Sequence, residues 1–263
     1  MDLGLKNKVA LISGSSSGLG EAVAKSIAAE GASVIICSID EEGLAKAKQD
    51  IIDAGNPNVI SVTANLSNQE GVDSVVSSAI AKFGKVDILV SNTGGPPSTR
   101  FENTTPEQWQ TAVDLLLMSA VNLTRGVLPG MMERKWGRII YCTSIAVKQP
   151  VENLVLSNSV RASVTGLAKT LASEVALSNI TVNCVLPGYT RTQRLTYLAN
   201  ATAEAKGISI EDAWKQWTSE IPMGRVGEPQ EFGDTVAFLA SEKASFITGQ
   251  SLAVDGGWIK SLL

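Results

Sequence analysis

Histidine is absent from the chain. Its absence removes Ser-His-Asp triads, Cys-His dyads and His-ligated zinc from consideration. Cysteine is scarce: Cys37, Cys142 and Cys184 fall in apolar, strand-like runs without Cys-x-x-Cys spacing. Neither a disulfide framework nor a metal site is expected from them. Buried thiols of a reducing compartment are the simpler reading, and they point to the cytoplasm. An excess of one charge is missing too. Twenty-two Lys+Arg stand against 26 Asp+Glu, a net charge of −4 with no basic cluster. Nucleic acid is therefore not the expected partner. The opening Met1-Asp2-Leu3-Gly4-Leu5-Lys6 shows no apolar h-region and no cleavage site, so no targeting segment is expected. The longest apolar stretch, Ala112 to Met132, is interrupted by Asp114, Asn122, Thr124 and Arg125. No membrane span is expected there.

What is present is globular: 263 residues, 44% hydrophobic and 18% charged, enough chain to bury a core without staples. Short β-branched runs alternate with helical patterns. Val9 to Ile12, Val34 to Cys37, Val59 to Thr63, Ile88 to Val90, Ile139 to Cys142, Val182 to Val185 and Leu252 to Val254 read as strands. Between them, helices are expected from Gly18 to Glu30, Glu41 to Ala54, Gln69 to Phe83, Pro106 to Arg134, Ser157 to Leu177 and Glu228 to Ala240. Thr105-Pro106-Glu107 gives the fourth a threonine cap with proline in its first turn. Strands apolar on both sides, alternating with helices, imply an α/β fold: a doubly wound parallel sheet with helices on both faces. With no repeat or linker, residues 1–263 read as a single domain. Gly188 to Met223 reads as irregular, with Tyr197, Trp214 and Trp217 in it. It leaves the carboxyl edge of the sheet, where ligands bind. It is either a substrate lid over 188–223 or a solvated helical excursion with its own small core.

The chemistry starts at Ser13-Gly14-Ser15-Ser16-Ser17-Gly18-Leu19-Gly20, between the first strand and the first helix. Doubly wound folds place a dinucleotide pyrophosphate there. Glycines let the backbone approach the phosphates, and the helix N-terminus offers free N–H groups. A purely structural turn is the alternative.

The spacing Gly14, Gly18, Gly20 resembles the T-G-x-x-x-G-x-G motif of the short-chain dehydrogenase/reductase family, with Ser13 at the threonine. Ser91-Asn92-Thr93-Gly94 resembles its N-N-A-G turn, and Pro187-Gly188-Tyr189-Thr190-Arg191-Thr192 its P-G-x-x-x-T segment. Pro222 to Pro229, Phe238 to Ser241, Ile247 to Gln250 and Val254 to Gly257 continue the match in order. The likeness spans nearly the whole chain and is nearest the β-ketoacyl-carrier-protein-reductase-like branch. It implies a seven-stranded Rossmann sheet, an NAD or NADP cofactor, hydride exchange with a small carbonyl or alcohol, and a homo-oligomer, tetramer or dimer. Gly14, Ser16, Ser17, Gly18, Leu19, Gly20, Asn92, Gly94, Pro187, Gly188, Thr190 and Thr192 are the implied cofactor residues.

Carried over residue by residue, the family's catalytic set is incomplete. Ser144, in Thr143-Ser144-Ile145, stands at the family's serine; capping a turn is its other reading. The register of Ala162-Ser163-Val164-Thr165-Gly166-Leu167 puts Ser157 at the family's tyrosine and Arg161 at its lysine. Counting back from Val127-Leu128-Pro129 puts Leu116 at its asparagine. A serine hydroxyl is a far weaker acid than a tuned phenol, and arginine holds its proton. Tyr189, Lys148 and Glu152 are other candidate proton sources. Arg161 shares a helix face with Ser157. Its fork suits the nicotinamide ribose, an anionic substrate or a structural acid.

At the end of the second strand Ser38 takes the usual acidic place, Ile39 is not basic, and Asp40 either bends toward the ribose or caps the next helix. This leans slightly to NADP over NAD. Asn65-Leu66 stands at the family's adenine-contacting Asp-Leu. Two functions follow: an NAD(P)-dependent oxidoreductase with atypical or weakened acid/base chemistry, or a catalytically impaired dinucleotide binder acting as sensor or scaffold.

Overall fold

A computed structural model describes residues 2–262. Seven strands form one sheet: Val9–Ser13 (β1), Ser33–Ser38 (β2), Val59–Thr63 (β3), Ile88–Ser91 (β4), Gly137–Cys142 (β5), Ile180–Pro187 (β6) and Ser251–Val254 (β7). Their order is β3-β2-β1-β4-β5-β6-β7, and every pairing is parallel. The winding reverses between β1 and β4, which opens the crevice where such folds take ligands.

Alternation along the strands builds two cores. Ala10 and Ile12 of β1, Ile36 of β2 and Val90 of β4 face one side. There they meet Val23 and Ile27 of Gly18–Ala29 (α1), Leu44 of Glu41–Asp53 (α2), and Phe232 and Val236 of a late helix, Pro229–Ala240. Leu11, Leu89, Ile139 and Tyr141 point the other way. They pack on Val75 of Gln69–Phe83 (α3), and on Leu123 and Val164 of two further helices. A period of two along each strand, with both faces apolar, is what a sheet covered twice requires.

The expected helix from Pro106 to Arg134 is continuous but not uniform. Pro106–Ala112 (α4) begins in a capping box between Thr105 and Gln108. Val113–Met118 then winds as a π-helix, and Ser119–Arg134 (α5) resumes the α pitch. By length and composition alone, Pro106–Arg134 is long and apolar enough to cross a membrane. Its apolar side lies instead against the sheet: Leu123 and Val127 join the core with Leu89 and Ile139.

The stretch from Gly188 to Met223, read as irregular, holds two helices. After Val155–Val175 (α6) and β6, Gln193–Lys206 (α7) is capped by Thr192, and Ile210–Glu220 (α8) by Ser209. Pro229–Ala240 is α9. In α7 the buried face is Leu195, Ala199 and Ala203, one helical turn apart. Large aromatics anchor α8. Tyr189 stacks on Trp217 at 5.2 Å and meets Trp258 edge-on at 5.8 Å, while Trp214 packs edge-on to Trp217 at 5.7 Å.

Candidate functional site

The turn after β1 admits only glycine at its key points. Gly14 and Gly18 hold φ of +58° and +60°. A Cβ on Gly20 would lie 2.1 Å from the Gly14 carbonyl oxygen, closer than any side chain tolerates. Asn92, at the end of β4, clamps this turn. Its Nδ2 donates to Gly14 O at 3.0 Å, and its backbone exchanges two hydrogen bonds with the Ser13 hydroxyl, at 2.7 and 2.9 Å. Asn92 therefore shapes the cradle and its side chain is spent on doing so.

Asp40, Asn68, Thr105, Thr192 and Ser209 each accept an N–H of the helix they precede, but the Ser17 side chain at the head of α1 caps nothing. The orphan donors of α1 are thus left for an outside acceptor, and a phosphate matches both their geometry and the sign of the helix dipole. Thr192 reaches the same place: its Cγ2 lies 3.3 Å from where a Gly18 Cβ would sit. Leu19 is half-buried against the core. A narrow, Cβ-free cradle with open donors fits a dinucleotide pyrophosphate.

Ser16 Oγ donates to Ser38 Oγ at 3.0 Å, joining the glycine turn to the tip of β2. Asp40 does not bend back toward this pair; its carboxylate accepts the Gly43 N–H at 3.0 Å and caps α2. Asn65 Oδ1 accepts both the N–H and the hydroxyl of Ser67, at 3.0 and 2.8 Å, so its Nδ2 remains available. The Leu66 side chain is buried in the core, which leaves only its backbone for a ligand.

β5 delivers Ser144 to the carboxyl edge. There its Oγ accepts the Ala146 N–H at 3.1 Å and caps a short turn, with its own proton still to give. Ser157 and Arg161 face the same place from α6. Arg161 Nε donates to Ser157 Oγ at 3.2 Å. Its Nη1 donates to the carbonyls of Cys142 and Thr143 at 3.0 and 3.1 Å, and its Nη2 to that of Gly94 at 3.2 Å. One guanidinium thus ties α6 to the ends of β5 and of the β4 loop. Burial pushes its pKa down to about 10, partly offset by the Cys142 thiol and reinforced by the Arg194 cation. At neutral pH it stays charged.

Leu116 lies in the π-helical turn, buried with Ala112, Leu156 and Val160. It closes one side of a cavity of about 10 Å³ shared with Tyr141, Thr143 and Arg161, room for a single water. π-turns often mark functional sites, and this one presents an aliphatic side chain.

None of the chain's tyrosines stands in for a phenol here. Tyr141 is in the core, its hydroxyl 2.7 Å from Thr124 Oγ1, and burial raises its pKa. Tyr189 sits in the tryptophan cluster, where burial and Glu220 raise it to about 12. Tyr197 is exposed beneath the Arg194 guanidinium, 5.3 Å away. Lys148 and Glu152 are both exposed.

The segment after β6 closes the crevice. Gly188 N–H donates to Val254 O at 2.9 Å, and a Cβ there would come within 2.6 Å of the Asp255 backbone. Pro187 ends β6, and buried Thr190 donates to Gly188 O at 3.2 Å. Arg194, which motif reading overlooks, donates from Nη2 to Pro96 O at 2.9 Å. A signal existed: a cation in the first turn of α7 opposes the helix dipole and calls for a reason.

Comparison with known proteins places this geometry among close relatives. The model of a family described as enoyl-(acyl carrier protein) reductase matches residues 14–259. The 3-oxoacyl-(acyl-carrier-protein) reductase of Escherichia coli (strain K12) is 34% identical over 255 residues, 97% of this chain and 98% of the relative. That of Chlamydia muridarum is 33% identical over 253 residues, 96% of this chain and 98% of the relative. The crystal structure of L-sorbose reductase from Gluconobacter frateurii, complexed with NADPH and L-sorbose, covers 100% of both chains at 36% identity and a TM-score of 0.94.

Proposed function

The chain belongs to the short-chain dehydrogenase/reductase family, on its ketoacyl-carrier-protein-reductase side, and from that premise we propose that it is an NAD(P)-dependent oxidoreductase of small carbonyl or hydroxy compounds whose acid/base step is atypical. When bound, the nicotinamide gives or takes a hydride. The observation that carries the cofactor is the glycine turn, where a Cβ on Gly20 would stand 2.1 Å from a backbone oxygen while α1 keeps its N-terminal donors open.

The chain's own residues then hold the substrate oxygen. Ser144 and Ser157 present hydroxyls at the carboxyl edge. The Arg161 Nε–H occupies a lone pair of Ser157 Oγ, so Ser157 keeps its own proton to give. Arg161 itself cannot relay a proton at neutral pH, with its pKa at about 10. A positioned general acid or base contributes roughly 10²–10⁴-fold, so a serine in that role leaves a barrier higher by about 3–5 kcal/mol. Turnover at a reduced rate is the expected behaviour. The lack of a phenol favours the second reading, a dinucleotide-binding sensor or scaffold without turnover.

Ser38 stands where an acid would repel a 2′-phosphate, which leans slightly to NADP. The buried, unpaired Cys37, Cys142 and Cys184 suit the cytoplasm. Helices α7 and α8, latched to the β4 loop through Arg194, serve as the substrate lid. The family implies a second copy of the chain as partner, which light scattering tests.

The deciding experiment is equilibrium dialysis against NADPH and NADH, followed by nicotinamide absorbance with a broad carbonyl and alcohol panel. Binding with slow turnover supports the oxidoreductase. Binding with no turnover on any compound supports the sensor. Retention of neither dinucleotide ends both readings.

A further inference from the structure

Arg161 and Arg194 both hold the same short loop. Arg161 Nη2 donates to Gly94 O at 3.2 Å, and Arg194 Nη2 to Pro96 O at 2.9 Å. Between these carbonyls, the Arg194 guanidinium lies 3.3 Å from the place of a Gly95 Cβ. Two cations so placed repel, and each is half-buried. Among the described residues neither forms an ion pair with a carboxylate. Arg194 also stands in the first turn of α7, where the helix dipole disfavours positive charge. Partly buried charges normally find a counterion. Here the described residues supply none.

The place says what the counterion belongs to. Arg161 is bonded to Ser157 and to the carbonyls beside Ser144, at the reacting end of the crevice. The open donors for phosphate lie at the head of α1 instead. Arg194 has a single hydrogen bond to the protein, so most of its donors remain free for a ligand. A planar fork matches a carboxylate in a two-point contact.

We propose that Arg194, together with Arg161, binds a carboxylate on the substrate, so that the reacting compound is an oxo acid or hydroxy acid. This rests on the oxidoreductase reading above. The substrate is then drawn by charge as well as fixed by shape, and Arg194 sets specificity from the lid.

The test begins with dialysis of the wild type against NADPH and NADH. Binding and kcat/KM are then measured for 2-oxobutanoate and 4-oxopentanoate against their methyl esters. Binding is read from tryptophan fluorescence of the dinucleotide complex, so it needs no turnover. The expected result is that at least one acid exceeds its ester by about ten-fold or more. Arg194→Gln should reduce that ratio by a similar factor, and Arg194→Lys should restore part of it. Equal binding of acid and ester by the wild type overturns the proposal. So does an Arg194→Gln protein that keeps the acid preference but loses affinity for NADPH, because the anion would then be the cofactor's phosphate. Retention of neither dinucleotide by the wild type is a different failure: it removes the oxidoreductase reading, and the proposal falls with it.

Discussion

Arg161 Nε donates to Ser157 Oγ across 3.2 Å, one helical turn apart on α6. The resemblance read from the sequence puts this pair at the family's tyrosine and lysine. Its properties differ in kind. The guanidinium is a fixed cation with four hydrogen bonds to the chain, three of them to backbone carbonyls of β5 and the β4 loop. It holds the frame of the site together and polarises a hydroxyl, but it does not move protons. The serine gains a neighbouring positive charge and keeps the intrinsic weakness of an alcohol as an acid.

Restoring the missing groups should therefore raise activity. Leu116→Asn, Ser157→Tyr and Arg161→Lys in one protein returns a phenol, a lysine and a polar group facing the water-sized cavity. An increase in kcat/KM of about 10²–10⁴-fold is expected on any carbonyl the wild type reduces. The logarithmic gains of the three single substitutions should sum to much less than that of the triple variant, because the groups act as a unit. Steady-state kinetics of the triple variant beside each single one decides this. No gain in the triple variant would mean that the reacting centre lies elsewhere.

Gly20→Ala probes the cradle. The added Cβ meets the Gly14 carbonyl oxygen at 2.1 Å and Asn92 Nδ2 at 2.9 Å. Neither can retreat without opening the Asn92 clamp. Loss of the thermal shift produced by NADPH is expected, together with a lower melting temperature of the free protein. A variant that melts like the wild type and still binds NADPH would contradict this account of the turn.

Acid sensitivity should come partly from Arg225 and Glu231. The guanidinium makes two contacts with the carboxylate, at 2.6 and 2.8 Å. These hydrogen bonds, with the Glu228 N–H, hold Glu231 at about 2, below its ordinary 4.5. Lys25 lowers Asp50 in the same direction. A depressed carboxyl stabilises the folded state above its ordinary pKa and loses that contribution as pH falls toward the folded value. The loss for Glu231 should run from about pH 4.5 down to about 2. Urea unfolding at stepped pH should show a shallower acid limb for Glu231→Gln than for the wild type. Identical slopes would remove the pair from the acid response.

Much of this architecture is legible in the sequence, because unbroken burial on both faces makes β1, β4 and β5 short apolar runs, and caps such as Thr105 mark helix starts. The glycine spacing is legible for the same reason: a steric demand for no Cβ leaves its own trace. Helices α7 and α8 are not, since small alanines make up much of the buried face of α7 and Trp217 of α8 packs on Tyr189, a residue distant in sequence. Arg161 is visible as a residue but not as a tie. That it spends its donors on the carbonyls of Cys142, Thr143 and Gly94 depends on strands brought together across the sheet. Asp40 shows the same limit. The sequence leaves two roles open for it, and the hydrogen bond from Gly43 N–H selects the cap.

Cofactor choice turns on that last point. With Asp40 committed to α2, the tip of β2 offers a ribose two hydroxyls, Ser38 and Ser16, held 3.0 Å apart. Hydroxyls accept or donate, so they tolerate a 2′-hydroxyl and a 2′-phosphate alike. A carboxylate at position 38 would not. Ser38→Asp places a negative charge where the phosphate would sit and an acceptor where the ribose hydroxyls would donate. NADPH affinity should fall by at least about ten-fold, and NADH affinity should hold or rise, a change in their ratio worth about 1.4 kcal/mol or more. Titration of each dinucleotide by fluorescence, in wild type and variant, measures that ratio directly. An unchanged ratio would place the adenosine ribose away from β2, and the alignment of Ser16 with Ser38 would then have no part in binding it.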